Sequence, residues 1–123
     1  MKIAVSAQEP DLNAQVDPRF GRCQYFVIVD TETMEFENMK NTGTDAGGGA
    51  GIAAAQLVTG TEPEAVLTGS CGPNAFSVLE AAGITVVTGV SGTIRKAVED
   101  YVAGKYSPAA EANARPHSGM KKS

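Results

Sequence analysis

The chain has no tryptophan, one histidine and two cysteines among its 123 residues. Cys23 and Cys71 stand alone, in no CxxC or CxxxC pair, so neither a disulfide framework nor the common zinc and redox motifs are present. The one histidine, His117, lies near the C-terminus. Without a histidine in the body of the chain, a Ser-His-Asp or Cys-His arrangement has no base to build on. Asp17, Asp30, Asp45 and Asp100 belong to no motif, and no cluster of acids at strand ends suggests a two-metal hydrolytic centre. Basic residues are few: 10 Lys and Arg stand against 14 Asp and Glu, for a net charge of -4. That balance excludes a general nucleic-acid binder, which needs a basic stripe, but leaves room for a local anion site. No run approaches the ~20 apolar residues that span a bilayer, and the N-terminus lacks a signal-peptide h-region and cleavage site. These absences suggest a cytoplasmic protein that engages neither membrane nor nucleic acid.

What is present is ordinary globular material, 42% apolar, in a length that fits one domain. Met1 to Ser6 reads as a buried strand and Gln8 to Arg19, with Pro10 and Pro18, as a polar loop. Tyr25 to Asp30 is rich in β-branched and aromatic residues, and Met34 to Met39 alternates, so the two predict a hairpin. A glycine-dominated loop, Asn41 to Gly51, leads into an Ala-rich helix over Ile52 to Val58. A strand over Ala65 to Thr68 follows, then a helix from Asn74 to Ala82 with Pro73 in its first turn and Gly83 at its end. A strand at Ile84 to Val87 precedes a last helix, capped by Ser91 or Thr93 and running to about Ala103. Its apolar face would hold Ile94, Ala97, Val98, Tyr101 and Val102. The expectation is a domain over 1–104 and a disordered tail over 105–123, rich in Ala, Pro, Ser and Lys. A hairpin leading into alternating helix and strand gives a mixed sheet, with ligands expected beyond the carboxyl ends of its parallel strands.

Three loops can carry chemistry. In the first, Gly47, Gly48 and Gly49 can present bare backbone N–H groups at a helix N-terminus, which suits an anion. No Gly-Lys-Ser or Gly-Lys-Thr follows, so this is not a phosphate loop, and a linker into a closely packed helix fits the same residues. In the second, PRFGRC, Arg19 and Arg22 can point rigid guanidinium forks at one oxyanion, and Cys23 is a candidate soft metal ligand. Equally, Phe20 can enter the core and leave both arginines solvated. In the third, Ser70, Gly72 and Asn74 surround Cys71 between a strand and a helix. There the helix N-terminus would favour the Cys71 thiolate for metal binding, and the turn is a second candidate anion nest. A small buried residue in a tight turn fits Cys71 as well.

Taken in order, MKIAVSAQ, VDPRFGRCQYFVIVD, GGGAGIAAAQL, AVLTGSCGPNAFSVLEAAGI and GTIRKAVEDY resemble the dinitrogenase iron–molybdenum cofactor biosynthesis family. That family comprises NifX-like and NafY-like domains and includes the molybdenum–copper orange-protein type of sulfate reducers. The resemblance covers about residues 1–104 and implies an RNase H-like three-layer α/β/α fold, with a mixed five-stranded sheet and an N-terminal hairpin. It implies a non-enzymatic carrier or store for an anionic metal–sulfur cluster of Mo–Cu or Fe–Mo type. Many relatives carry His where this chain has Arg19, so the change weakens direct iron ligation there but keeps positive charge. The implied cluster-binding set is Arg19, Arg22, Gly47, Gly48, Gly49, Ser70, Gly72 and Asn74, with Cys23 and Cys71 as metal ligands. The alternative expectation is a cofactor-free module for a cluster-assembly or cell-division partner; under either reading the protein is expected to be a monomer or weak homodimer. A small hydrolase or nuclease on the same fold would need a carboxylate cluster that the sequence does not display.

Overall fold

The computed structural model describes residues 1–45 and 49–109, with the backbone alone at 44 and 45. Five strands run in the order β1 (Lys2–Ala7), β2 (Tyr25–Asp30), β3 (Phe36–Lys40), β4 (Ala65–Leu67) and β5 (Thr85–Val87). Three helices, α1 (Ala50–Thr59), α2 (Pro73–Ala81) and α3 (Ile94–Val102), alternate with the later strands, and a short 3-10 turn (Thr42–Asp45) precedes α1. The sheet order is β3-β2-β1-β4-β5. β1 pairs antiparallel with β2 and parallel with β4, β2 pairs antiparallel with β3, and β4 pairs parallel with β5. The mixed five-stranded sheet and the hairpin at its edge are as expected.

Strand alternation sorts side chains onto two faces. Ile3, Val5, Val27, Val29, Leu67 and Val87 face α3, where Ile94, Ala97 and Val98 cover them. Ala4, Phe26, Ile28, Val66 and Val86 face α1 and α2, which contribute Ala54, Ala55, Val58, Ala75, Phe76 and Leu79. Alanines on α1 let that helix lie close to the sheet, while α2 brings the larger Phe76 and Leu79. The result is three layers, helix on sheet on helix.

The helix ends follow local chemistry. Thr93 caps α3, accepting the Lys96 N–H on its hydroxyl, and Gly83 and Gly104 follow α2 and α3 with φ of +79° and +80°. Val102 departs from the expected apolar face. It is 55% exposed, because it ends the helix beyond the last turn that the core covers.

Two segments differ from the sequence reading. Gln8–Arg19 is irregular, as a loop should be, but it is not polar throughout, since Leu12, Ala14 and Val16 are buried in the α3-side core. Their carbonyls and amides are stitched to the start of α3: Val16 N–H to Gly92, Ile94 N–H to Ala14 and Arg95 N–H to Leu12, at 2.8, 2.9 and 3.0 Å. Polar neighbours and two prolines hid an apolar alternation at 12, 14 and 16. Lys105–Ala109, expected to belong to a disordered tail, also has defined contacts. Tyr106 packs on the α3-side core and Ala109 on the other, and the Ala109 N–H donates to the Val86 carbonyl at 2.7 Å. Lys105–Ala109 therefore wraps the open edge of β5, where an unpaired strand offers a carbonyl. Residues 110–123, including His117, lie outside the described residues. Among the described residues, no helix is long and apolar enough to cross a membrane.

Candidate functional site

β1 and β4 are parallel neighbours, so the chain leaves both at the same edge of the sheet. Their ends are joined by a buried polar network. The Ser6 and Thr68 hydroxyls are 2.8 Å apart, and the Ser6 hydroxyl lies 2.7 Å from the Asp17 carbonyl. Both residues are fully buried. From this anchor the Pro18–Cys23 loop crosses the end of β4. Arg19 forms a parallel bridge with Ser70, the Phe20 N–H donates to the Ser70 carbonyl at 3.1 Å, and the Ser70 hydroxyl donates to the Pro18 carbonyl at 2.8 Å.

Backbone contact this close requires glycine. A Cβ built on Gly69 would stand 2.6 Å from the Pro18 Cα and 2.8 Å from its carbonyl oxygen. One built on Gly21 would stand 3.0 Å from the Gly51 Cα, in the first turn of α1. Gly51 in turn lies against the Ala75 methyl of α2, which a Cβ at Gly51 would meet at 3.5 Å. The arginine loop, the start of α1 and the start of α2 are thus one contiguous surface. Asn41 braces it from the β3 side, donating to the Cys23 and Gly21 carbonyls at 2.9 and 3.3 Å and accepting the Gly43 N–H at 3.0 Å.

The electrostatics of the surface come from three sources. Arg19 is 65% exposed, and Arg22 is exposed beside it. Helix α1 starts from Gly49 and α2 from Gly72, and among the described residues neither N-terminus has a side-chain cap or an acidic residue in its first turn. Each such end presents backbone N–H groups and the positive pole of the helix dipole. Ser70 and Gly72 are half-buried and Asn74 exposed, so polar groups are accessible around the start of α2. Of the expected set, Arg19, Arg22, Gly49, Ser70, Gly72 and Asn74 come from the three loops that meet here. Gly47 and Gly48 lie outside the described residues.

The thiols lie beneath this surface. Cys23 and Cys71 are 0% and 1% exposed and belong to the core under α1 and α2. Burial, and secondarily the Asp17 carboxylate, push the Cys23 thiol up to about 12. Burial alone pushes Cys71 to about 12. The expectation that a helix N-terminus favours the Cys71 thiolate is therefore reversed: burial among apolar neighbours desolvates its sulfur and disfavours the thiolate. The Cys23 thiol instead donates to the Phe20 carbonyl at 3.3 Å. Phe20 does enter the core, stacking obliquely on Phe26 with centroids 5.1 Å apart. Among the described residues, no three His, Cys, Asp or Glu side chains gather so as to hold a metal ion.

Sequence reasoning missed Asp17, the Ser6–Thr68 pair, Asn41 and the close-approach glycines 21 and 69. Only the Asp-Pro dipeptide at 17–18, a turn initiator, carried a local signal.

A model of the dinitrogenase iron–molybdenum cofactor family matches residues 1–104. The chain belongs to that family. Within this fold, the apo orange protein of Desulfovibrio gigas is 43% identical, covers 91% of this chain and 95% of its own, and superposes with a TM-score of 0.89. A putative NifB protein from Thermotoga is 30% identical over 94% of this chain and 97% of its own, with a TM-score of 0.78. An uncharacterized protein of Methanocaldococcus jannaschii is 32% identical over 108 residues, 85% of this chain and 88% of its own length. Membership of the family and the likeness to the orange protein support a cofactor-binding or carrier role.

Proposed function

We propose that this protein binds and carries or stores an anionic metal–sulfur cluster, of Mo–Cu–S or Fe–Mo type, on the surface where its three loops meet. The observation that supports this best is the convergence of an arginine-bearing loop with two helix N-termini that lack side-chain caps and acidic residues. A chain of net charge -4 can hold an anion only where local donors outweigh the global field. Guanidinium groups and helix amides are such donors, and neither needs to lose a proton to act. Arg19, Arg22, Ser70, Asn74 and the backbone of Gly49 and Gly72 would contact the cluster, joined by Gly47 and Gly48, which precede α1 in the chain. Cys23 and Cys71 would ligate copper or iron only after the core opened and each thiol lost its proton, so they rank second. The role requires no catalytic step, and the same chemistry would suit a protein that hands its cargo to an assembly partner.

Titration with tetrathiomolybdate, with and without copper(I), tests this reading through visible absorption, metal analysis and NMR shift mapping. Shifts confined to residues 18–23, 47–51 and 69–75 are expected. Arg19→Ala should weaken binding about tenfold, the order of one charge-assisted hydrogen bond. No uptake of metal, or shifts centred elsewhere, would refute it.

A further inference from the structure

A buried carboxylate stands at the head of the arginine-bearing loop. Asp17 is 3% exposed and immediately precedes the Pro18–Cys23 loop that bears both arginines. Such a charge opposes a bound anion, so its placement needs a reason. Its Oδ1 accepts the Arg19 backbone N–H at 2.9 Å, and the same oxygen lies 3.5 Å from the Arg19 Nε. Asp17 cannot easily move. Its N–H donates to the Ser6 carbonyl at 2.8 Å and its carbonyl lies 2.7 Å from the Ser6 hydroxyl, which is tied in turn to Thr68. Proline follows at 18 and restricts φ there. The carboxylate is thus fastened to the ends of β1 and β4 and reaches Arg19 at its backbone and at the inner nitrogen of its fork.

Contact at Nε leaves the two Nη groups of a 65% exposed side chain for something else. An unheld arginine on a surface loses rotamer freedom when it binds, and one already held loses less.

We propose that Asp17 is a positioning residue: it holds Arg19 by its Nε, so that both Nη groups face the bound anion. The proposal rests on the anion-binding reading above and assigns no contact between Asp17 and the ligand. The price is a repelling charge near the anion, so Asp17 helps only while Arg19 is present.

Arg19→Lys tests this without disturbing the core, because the side chain is exposed. Lysine keeps the charge but has no inner nitrogen separate from its one ammonium, so any contact with Asp17 draws that same group away from the anion. R19K should bind tetrathiomolybdate about tenfold more weakly than the wild type, close to R19A. Binding within about twofold of the wild type would overturn the proposal. Asp17→Asn adds a double-mutant cycle. It should weaken binding about threefold or more when Arg19 is present, and strengthen it in R19A, where only a repelling charge has gone. The same change in both backgrounds means a merely structural Asp17 and also overturns the proposal. The ligand-free protein gives an independent readout: the 15N resonance of the Arg19 Nε should shift in D17N, and an unmoved resonance refutes the hold. If the wild type binds no tetrathiomolybdate, the functional reading fails, while the Nε resonance still decides whether Asp17 holds Arg19. Should D17N not fold, R19K decides alone.

Discussion

Replacing Gly69 with alanine should destabilise this protein, although glycine-to-alanine changes often do the opposite. Gly69 is not in the left-handed region, so alanine meets no backbone strain there. Restricting the unfolded chain would then stabilise by about 0.4–1 kcal/mol. The new methyl, however, would lie 2.6 Å from the Pro18 Cα and 2.8 Å from its carbonyl oxygen, both of them backbone atoms. Relief requires the Pro18–Cys23 loop to move off the end of β4 by roughly an ångström, and such overpacking costs about 1–3 kcal/mol. The same movement stretches the Phe20 N–H to Ser70 carbonyl bond and the Ser70 hydroxyl to Pro18 carbonyl bond, each worth about 1 kcal/mol. The net expectation is a loss of about 2–4 kcal/mol by urea denaturation. Amide shifts should concentrate at Arg19, Phe20 and Ser70. Gly60→Ala is the control: its Cβ meets only the Leu57 and Gln56 carbonyls at 3.4 and 3.7 Å, and it should be neutral or slightly stabilising. A G69A variant as stable as the wild type, with unmoved Arg19 and Ser70 amides, would refute the claim that close approach here requires glycine.

The thiols give a second expectation. With both pushed up to about 12, the native thiolate fraction at pH 8 is about one in ten thousand, so iodoacetamide should label Cys23 and Cys71 only in denaturant. A raised folded value means that the native state holds these protons more tightly than the unfolded chain. Stability from this source is therefore full below about pH 9 and falls as the pH rises from 9 toward 12, which urea titrations across that range would record. A stability that climbs over that interval contradicts the assignment. Leu12→Ala should cost about 2–4 kcal/mol by chemical denaturation, because Leu12 is 6% exposed within the α3-side core; a solvated loop would lose almost nothing.

Helices and strands were legible where short-range chemistry is strong. Thr93 as a cap, Pro73 in a first turn and Gly83 after a helix end all act within one turn of the residues they govern. The burial within the Gln8–Arg19 loop was not legible because Leu12, Ala14 and Val16 find their partners at Gly92, Ile94 and Arg95, far along the chain. The wrap of Lys105–Ala109 around β5 was hidden for the same reason: its composition resembles a loose tail, and only the exposed strand edge explains its seat.

By itself the sequence determined the element order and the three loops that bear candidate binding groups. Those properties follow from periodicity and turn chemistry, which are local. The tertiary structure decided the state of each group. It brought Gly21 onto Gly51 and Arg19 beside Ser70, because parallel pairing of β1 with β4 delivers both chain exits to one edge. It also turned the cysteine sulfurs inward and left the arginines outside. Charge and burial depend on which atoms surround a side chain, and those atoms come from segments that meet only when the sheet has formed.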